Sequence, residues 1–61
     1  MLTITEKVIL RNALRREFES LIKYDHETAK EIIKLYEKFE LGTDFIEEIK
    51  NDFEQFFNLK Y

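Results

Sequence analysis

The sequence has no cysteine, no proline and no tryptophan, and only one glycine among its 61 residues. The lack of cysteine excludes disulfides and thiolate metal sites, and it fits a reducing compartment. His26 is the single histidine, and a zinc site built without thiolates would lack ligands, so we expect neither a metal nor a cofactor. The scarcity of helix-breaking residues favours helices joined by short turns.

Long apolar runs are missing as well. No stretch approaches the roughly 20 apolar residues that a membrane-spanning helix needs. The first ten residues, MLTITEKVIL, place an acid before the lysine and offer no small-residue cleavage site, unlike a signal peptide. We therefore expect a cytoplasmic protein that does not enter a membrane.

The residues that are present are typical of a folded domain. Hydrophobic residues make up 44% and charged residues 38% of the chain, which is too apolar for a disordered segment. A domain of this size buries only roughly 60% of its unfolded surface, so its stability is marginal. Since disulfides and a thiolate metal site are excluded, oligomerisation is the remaining way to add to the core.

Apolar residues recur with helical spacing in three segments, about 4–24, 26–41 and 44–58. A repeat of three to four residues places these side chains on one face of an α-helix. The three faces comprise Leu10, Leu14, Phe18 and Leu21 in the first segment; Ala29, Ile32, Ile33, Tyr36 and Phe39 in the second; and Phe45, Ile49, Phe53 and Phe56 in the third.

Helix-terminal signals separate the segments. They are a capping box of Thr3 and Glu6, an N-cap at Asp25, a left-handed C′ residue at Gly42, and a start of the third helix at Thr43 or Asp44, where Asp44 as the N-cap would form an acidic capping box with Glu47.

These patterns predict one all-α domain over residues 1–61, a small three-helix antiparallel bundle that homodimerisation could complete. A helical hairpin that donates its third helix to a partner chain fits the same loop lengths. The phenylalanine-rich third helix could pack within the chain, across a dimer or into a groove of a partner.

All three arginines, Arg11, Arg15 and Arg16, lie in the stretch RNALRR of the first helix. Residues 1–24 carry five basic and three acidic side chains, residues 25–42 three and five, and residues 43–61 two and five. Three interpretations are open: a solvated face that pairs with acids of the neighbouring helices, a contact with an acidic protein, and a contact with nucleic acid. An overall acidic chain argues against nucleic acid.

Three further residues of the first helix stand out. Val8 and Ile9 lie away from the apolar face. Apolar side chains that do not contribute to the core often mark an interface. Glu17 falls inside the apolar arc, where an unpaired carboxylate would be costly. We expect Glu17 to reach out at the rim or to pair with a basic residue of a neighbouring helix; a charge that docks a partner is the alternative.

No catalytic, nucleotide-binding or metal-binding motif occurs, so we do not expect an enzyme. The leading hypothesis is a small intracellular regulator that binds another protein and covers part of its surface, as an inhibitor, antirepressor or adaptor does. Such chains are typical of phages and other mobile elements, and we expect this one to self-associate. The predicted contact residues are Val8, Ile9, Arg11, Arg15 and Arg16.

Two alternatives belong to other classes of function. One is a nucleic-acid-binding or transcription-regulating protein that uses the arginine-bearing first helix. The other is a structural dimer subunit.

Overall fold

The computed structural model describes residues 1–21 and 25–61. In this part of the chain α1 spans Ile4–Leu21, α2 spans His26–Lys38 and α3 spans Thr43–Phe57. The predicted all-α three-helix bundle is confirmed. The predicted end of the first helix, at residue 24, lies outside the described residues, and α2 ends three residues earlier than predicted.

The first helix begins at the predicted capping box. The Thr3 N–H donates to Glu6 Oε1 at 2.8 Å, and the Glu6 N–H donates to Thr3 Oγ1 at 3.1 Å. These bonds satisfy two amide groups that a helix start leaves without intrahelical partners.

The second helix begins at the predicted N-cap. Asp25 accepts hydrogen bonds from the Thr28 N–H at 3.0 Å and the Thr28 hydroxyl at 2.7 Å. These two bonds stabilise the carboxylate and lower the pKa of Asp25. His26 follows directly and is half-buried, because its ring packs edge-on against Phe57 with the two ring centroids 5.9 Å apart.

The end of α2 differs from the prediction, which placed the left-handed residue at Gly42. Glu40 takes that role with a φ of 52°. The Leu41 N–H donates to the Tyr36 carbonyl at 3.0 Å, and the Glu40 N–H donates to the Glu37 carbonyl at 3.2 Å. This is the Schellman arrangement, with buried Leu41 as the apolar residue that follows the turn.

The start of α3 also differs from the prediction. Gly42, with a φ of 116°, is the N-cap, and it makes no side-chain capping bond. Asp44 therefore lies within the first turn of α3 and is not the N-cap, so the predicted pairing of Asp44 with Glu47 as a capping box is wrong. A Cβ atom at Gly42 would lie 2.9 Å from Cδ2 of Phe45, so this position excludes a side chain both by conformation and by contact.

The core lies on both sides of α2. The buried residues are Phe18 of α1, Ala29, Ile32, Ile33 and Tyr36 of α2, Leu41 of the connection, and Ile49 and Phe53 of α3. Of the predicted apolar face of α1, only Phe18 is fully buried, and Leu10, Leu14 and Leu21 are half-buried. Phe45 and Phe56 of the predicted α3 face are exposed.

The helices are antiparallel in sequence order. His26 at the start of α2 packs against Phe57 at the end of α3, and Tyr36 near the end of α2 bonds to Arg11 in the first half of α1. α1 and α3 therefore run parallel to each other on either side of α2. Between the described residues of α1 and α3 no two Cα atoms lie within 8 Å, whereas α2 packs against both helices.

None of the helices in residues 1–21 and 25–61 is both long and apolar enough to cross a membrane.

Candidate functional site

The arginines of α1 do not form one surface. At about 100° per residue, Arg11 and Arg15 lie on the side of α1 next to its core residues, and Arg16 lies about 160° around the helix from Phe18. Arg11 and Arg15 are half-buried and contact residues of the α2–α3 connection and α3, while Arg16 is exposed. The apolar pattern of the sequence predicts Arg15 on the side of the first helix opposite the apolar face; in the structure it instead lies beside that face and reaches α3.

Arg15 is committed to the fold. Its Nη2 lies 2.5 Å from Oδ2 of Asp52 in α3, and its Nε lies 3.0 Å from Oε2 of Glu19. Partial burial lowers the pKa of Arg15, but the hydrogen bonds to Asp52 and Glu19 outweigh this and raise it. The guanidinium also lies 5.5 Å from the ring centroid of Phe18. For this arginine, pairing with acids of the bundle is confirmed.

Arg11 is held in place without a carboxylate. Its guanidinium carbon lies 3.8 Å from the ring centroid of Phe45, a close cation–π contact. Its Nη1 donates a long hydrogen bond of 3.5 Å to the Leu41 carbonyl. Among the described residues no carboxylate comes within 4.0 Å of this guanidinium. The charge of Arg11 is therefore not neutralised by an ion pair with a described residue.

The backbone beneath Arg11 is anchored as well. The buried Tyr36 hydroxyl donates to the Arg11 carbonyl at 3.1 Å, which joins α2 to α1. Burial of the hydroxyl raises the pKa of Tyr36. Arg11 thus has an anchored backbone and a guanidinium that packs on Phe45, which reduces the side-chain entropy that binding a partner would cost.

The two predicted apolar contact residues are separated. Val8 is 37% exposed and lies within about 60° of Arg11 on α1. Ile9 is 63% exposed and lies close to Arg16, on the side of α1 opposite Phe18. The structure thus joins Val8 to Arg11, and Ile9 to Arg16.

Two residues complete the surface around Val8 and Arg11. Ile4 is 83% exposed and lies one helical turn before Val8, and Phe45 is 44% exposed under the Arg11 guanidinium. We call Ile4, Val8, Arg11 and Phe45 the α1–α3 surface. A shallow depression of about 130 Å³ adjoins it, lined by Arg11, Asn12, Arg15, Tyr36, Phe45 and Glu48.

Ile4 and Phe45 were not among the contact residues predicted from the sequence. The four-residue spacing of Ile4 and Val8 could have identified the first. The apolar periodicity of α3 placed Phe45 in the core, and only the position of α1 relative to α3 shows that it lies at the edge.

Glu17 is exposed, as predicted for a residue at the rim of the apolar face. Its side chain has no ion pair with another described residue. It therefore carries no argument for a buried charge that docks a partner.

Residues that could hold a metal are not gathered together. In residues 1–21 and 25–61 no group of three or more histidine and carboxylate side chains is arranged to bind an ion. Comparisons of the chain with protein-family models, curated protein sequences and solved structures found no match.

Proposed function

We propose that this chain is a small protein-binding regulator, an inhibitor, antirepressor or adaptor, which covers part of a partner's surface. The observation that carries the proposal is the α1–α3 surface. It combines three exposed apolar side chains with Arg11. The guanidinium of Arg11 packs on Phe45 and forms no ion pair with a carboxylate of the described residues. Exposed apolar side chains on the same side of a domain as a charged group are typical of protein interfaces.

The chemistry of the surface supports a protein partner. Aromatic residues and arginine are enriched among the side chains that dominate binding energy, and here Phe45 and Arg11 are in direct contact. Ile4 and Val8 supply apolar area beside them. Binding would exclude water from this area, and Arg11 would favour a partner with a carboxylate or carbonyl at the matching point.

A nucleic-acid partner is less well supported. Arg15, one of the three arginines, is already paired with Asp52 and Glu19. Arg11 and Arg16 lie on different sides of α1, and Glu48 lines the depression beside Arg11. Such a mixed surface lacks the continuous positive charge that tracks a phosphate backbone.

Two matched double variants test the proposal. Val8→Glu with Arg11→Glu changes the α1–α3 surface, and Ile9→Glu with Arg16→Glu makes the same change of charge on the other side of α1. Each variant and the native chain would serve as bait for affinity capture from the native host, followed by mass spectrometry. Circular dichroism would establish that both variants keep the helical fold.

We expect the native chain and the Ile9/Arg16 variant to capture the same protein, and the Val8/Arg11 variant to lose it. Capture that survives in the Val8/Arg11 variant, or that nuclease treatment abolishes, would contradict the proposal.

A further inference from the structure

We infer that the α1–α3 surface binds a second copy of this chain, so that the isolated protein is a dimer whose partner must displace that copy. The inference rests on the proposed function, because it names a protein occupant for the same surface. Two observations support it: the charges of that surface and the direction of the helices.

The surface carries both halves of an electrostatic contact. Arg11 lies on its α1 side, and Glu48 lies across the adjoining depression on α3. The wider charge distribution agrees, since residues 1–24 have an excess of two basic side chains and residues 43–61 an excess of three acidic ones. A surface with both signs and exposed apolar groups can complement itself, whereas a partner of one sign would meet repulsion from half of it.

The direction of the helices selects one symmetry. Most small homodimers have a two-fold axis, and each residue contact then occurs twice. The helices α1 and α3 run parallel within each copy. A two-fold axis that is parallel to them therefore places α1 of one copy against α3 of the other, with the N-terminal ends of both helices at the same level. That arrangement brings Arg11 towards Glu48 of the second copy. An axis across the helices would instead oppose α1 with α1 and α3 with α3, so that the basic excess of residues 1–24 and the acidic excess of residues 43–61 would each face its own kind.

The same axis also brings the apolar residues together. Ile4 and Val8 lie in the first half of α1, and Phe45 lies at the start of α3, at the height of Arg11. In the arrangement along the helices, these ends of the two copies face each other.

Sedimentation equilibrium from low micromolar to millimolar protein tests the dimer directly. We expect the mass to rise from the 7.5 kDa of one chain towards twice that value. Val8→Glu should weaken association at least tenfold. Ile9→Glu, the neighbouring position on the other side of α1, should leave association unchanged within twofold.

A mixing experiment identifies the contact across the axis. Arg11→Glu places two acids at each contact, and Glu48→Arg places two basic residues there, so each variant alone should associate at least tenfold more weakly than the native chain. An equimolar mixture restores opposite charges at both contacts and should form a heterodimer with near-native affinity. A contact within one chain cannot produce this recovery, because mixing leaves each chain's own residues unchanged.

Strictly monomeric behaviour across the series would overturn the inference, and so would equal sensitivity to Val8→Glu and Ile9→Glu or a mixture that fails to recover. A monomer whose capture of a partner still depends on Val8 and Arg11 would reject the dimer and leave the proposed function standing. A dimer whose captured partner does not depend on those residues would reject the proposed function alone.

Discussion

The connection between α2 and α3 holds two residues with positive φ, and only one of them is a glycine. Glu40 adopts a φ of 52° and Gly42 a φ of 116°. The left-handed conformation costs a residue with a Cβ roughly 1–2 kcal/mol. The turn occurs at Glu40 because Leu41 must enter the core directly after it, while Gly42 is needed two residues later, where Phe45 approaches the backbone.

A pair of substitutions tests this division of roles. Glu40→Gly relieves the left-handed strain but makes the unfolded chain more flexible, so we expect a net gain of about 0.5 kcal/mol in the free energy of unfolding. Gly42→Ala introduces a Cβ against Phe45 at a positive φ, and we expect a loss of about 1–3 kcal/mol. Urea denaturation followed by circular dichroism measures both. A destabilised Glu40→Gly variant would show that the Glu40 side chain has a role of its own.

The capping residues show how far sequence reasoning reaches at this scale. Thr3, Glu6 and Asp25 were predicted correctly because their bonds are made within a few residues of the chain. Gly42 was assigned to the wrong motif. A single glycine signals a positive φ somewhere in the connection, but which residue ends α2 depends on the burial of Leu41, which is a tertiary property.

Among the helices, the least expected feature is the contact between α1 and α3. Their described Cα atoms stay more than 8 Å apart, so side chains make the connection. Arg15 reaches Asp52, and Arg11 reaches Phe45. Helical periodicity predicted the three helices and most of the core, but it gives only the angle between residues of one helix. It cannot show where another helix lies, and therefore it missed the inward role of Arg15 and the exposure of Phe45.

A double-mutant cycle measures the link between α1 and α3. Arg15→Ala and Asp52→Ala, singly and together, should give a coupling energy on the order of 1 kcal/mol, because the pair is only partly exposed but still screened by water. The coupling should decrease as salt is added. Glu31 and Lys34, an exposed pair at 3.0 Å within α2, provide the control and should couple more weakly. A coupling no larger than that of the control would mean that Arg15 does not hold the two helices together.

For the whole molecule, the titrating groups predict a plateau of stability between acid and alkaline pH. Burial raises the pKa of Tyr36 above its ordinary value of 10.0, and the ion pair with Glu37 raises the pKa of Lys50 above 10.5. The stability that these groups contribute is present below their ordinary pKa values and is lost as pH rises through the raised ones. Asp25 acts in the opposite sense, because its pKa is lowered below the ordinary value of 3.8. The ionised carboxylate stabilises the fold above pH 3.8, and this stabilisation is lost as the pH falls through the lowered pKa.

Tyr36→Phe separates the alkaline contributions. The variant lacks the hydrogen bond to the Arg11 carbonyl, so we expect it to be less stable at neutral pH by about 0.5–1.5 kcal/mol. Above pH 10 it should lose less stability than the native chain, because no buried hydroxyl has to ionise. Urea denaturation at several pH values, with tyrosinate absorbance recorded in parallel, provides the comparison. Identical alkaline profiles for the two proteins would show that Tyr36 does not govern the loss.

The central position of α2 has a consequence for how the chain folds. Of the three helices, α2 alone has a described backbone that lies close to both of the others, the helix that precedes it and the one that follows. Every packed pair is therefore joined by a short connection, so little loop entropy is lost when a pair forms, and such local topologies fold rapidly. Folding can begin with the α1–α2 hairpin or with the α2–α3 hairpin, and both routes require α2. We therefore expect its core residues Ile33 and Tyr36 to belong to the folding nucleus whichever hairpin forms first.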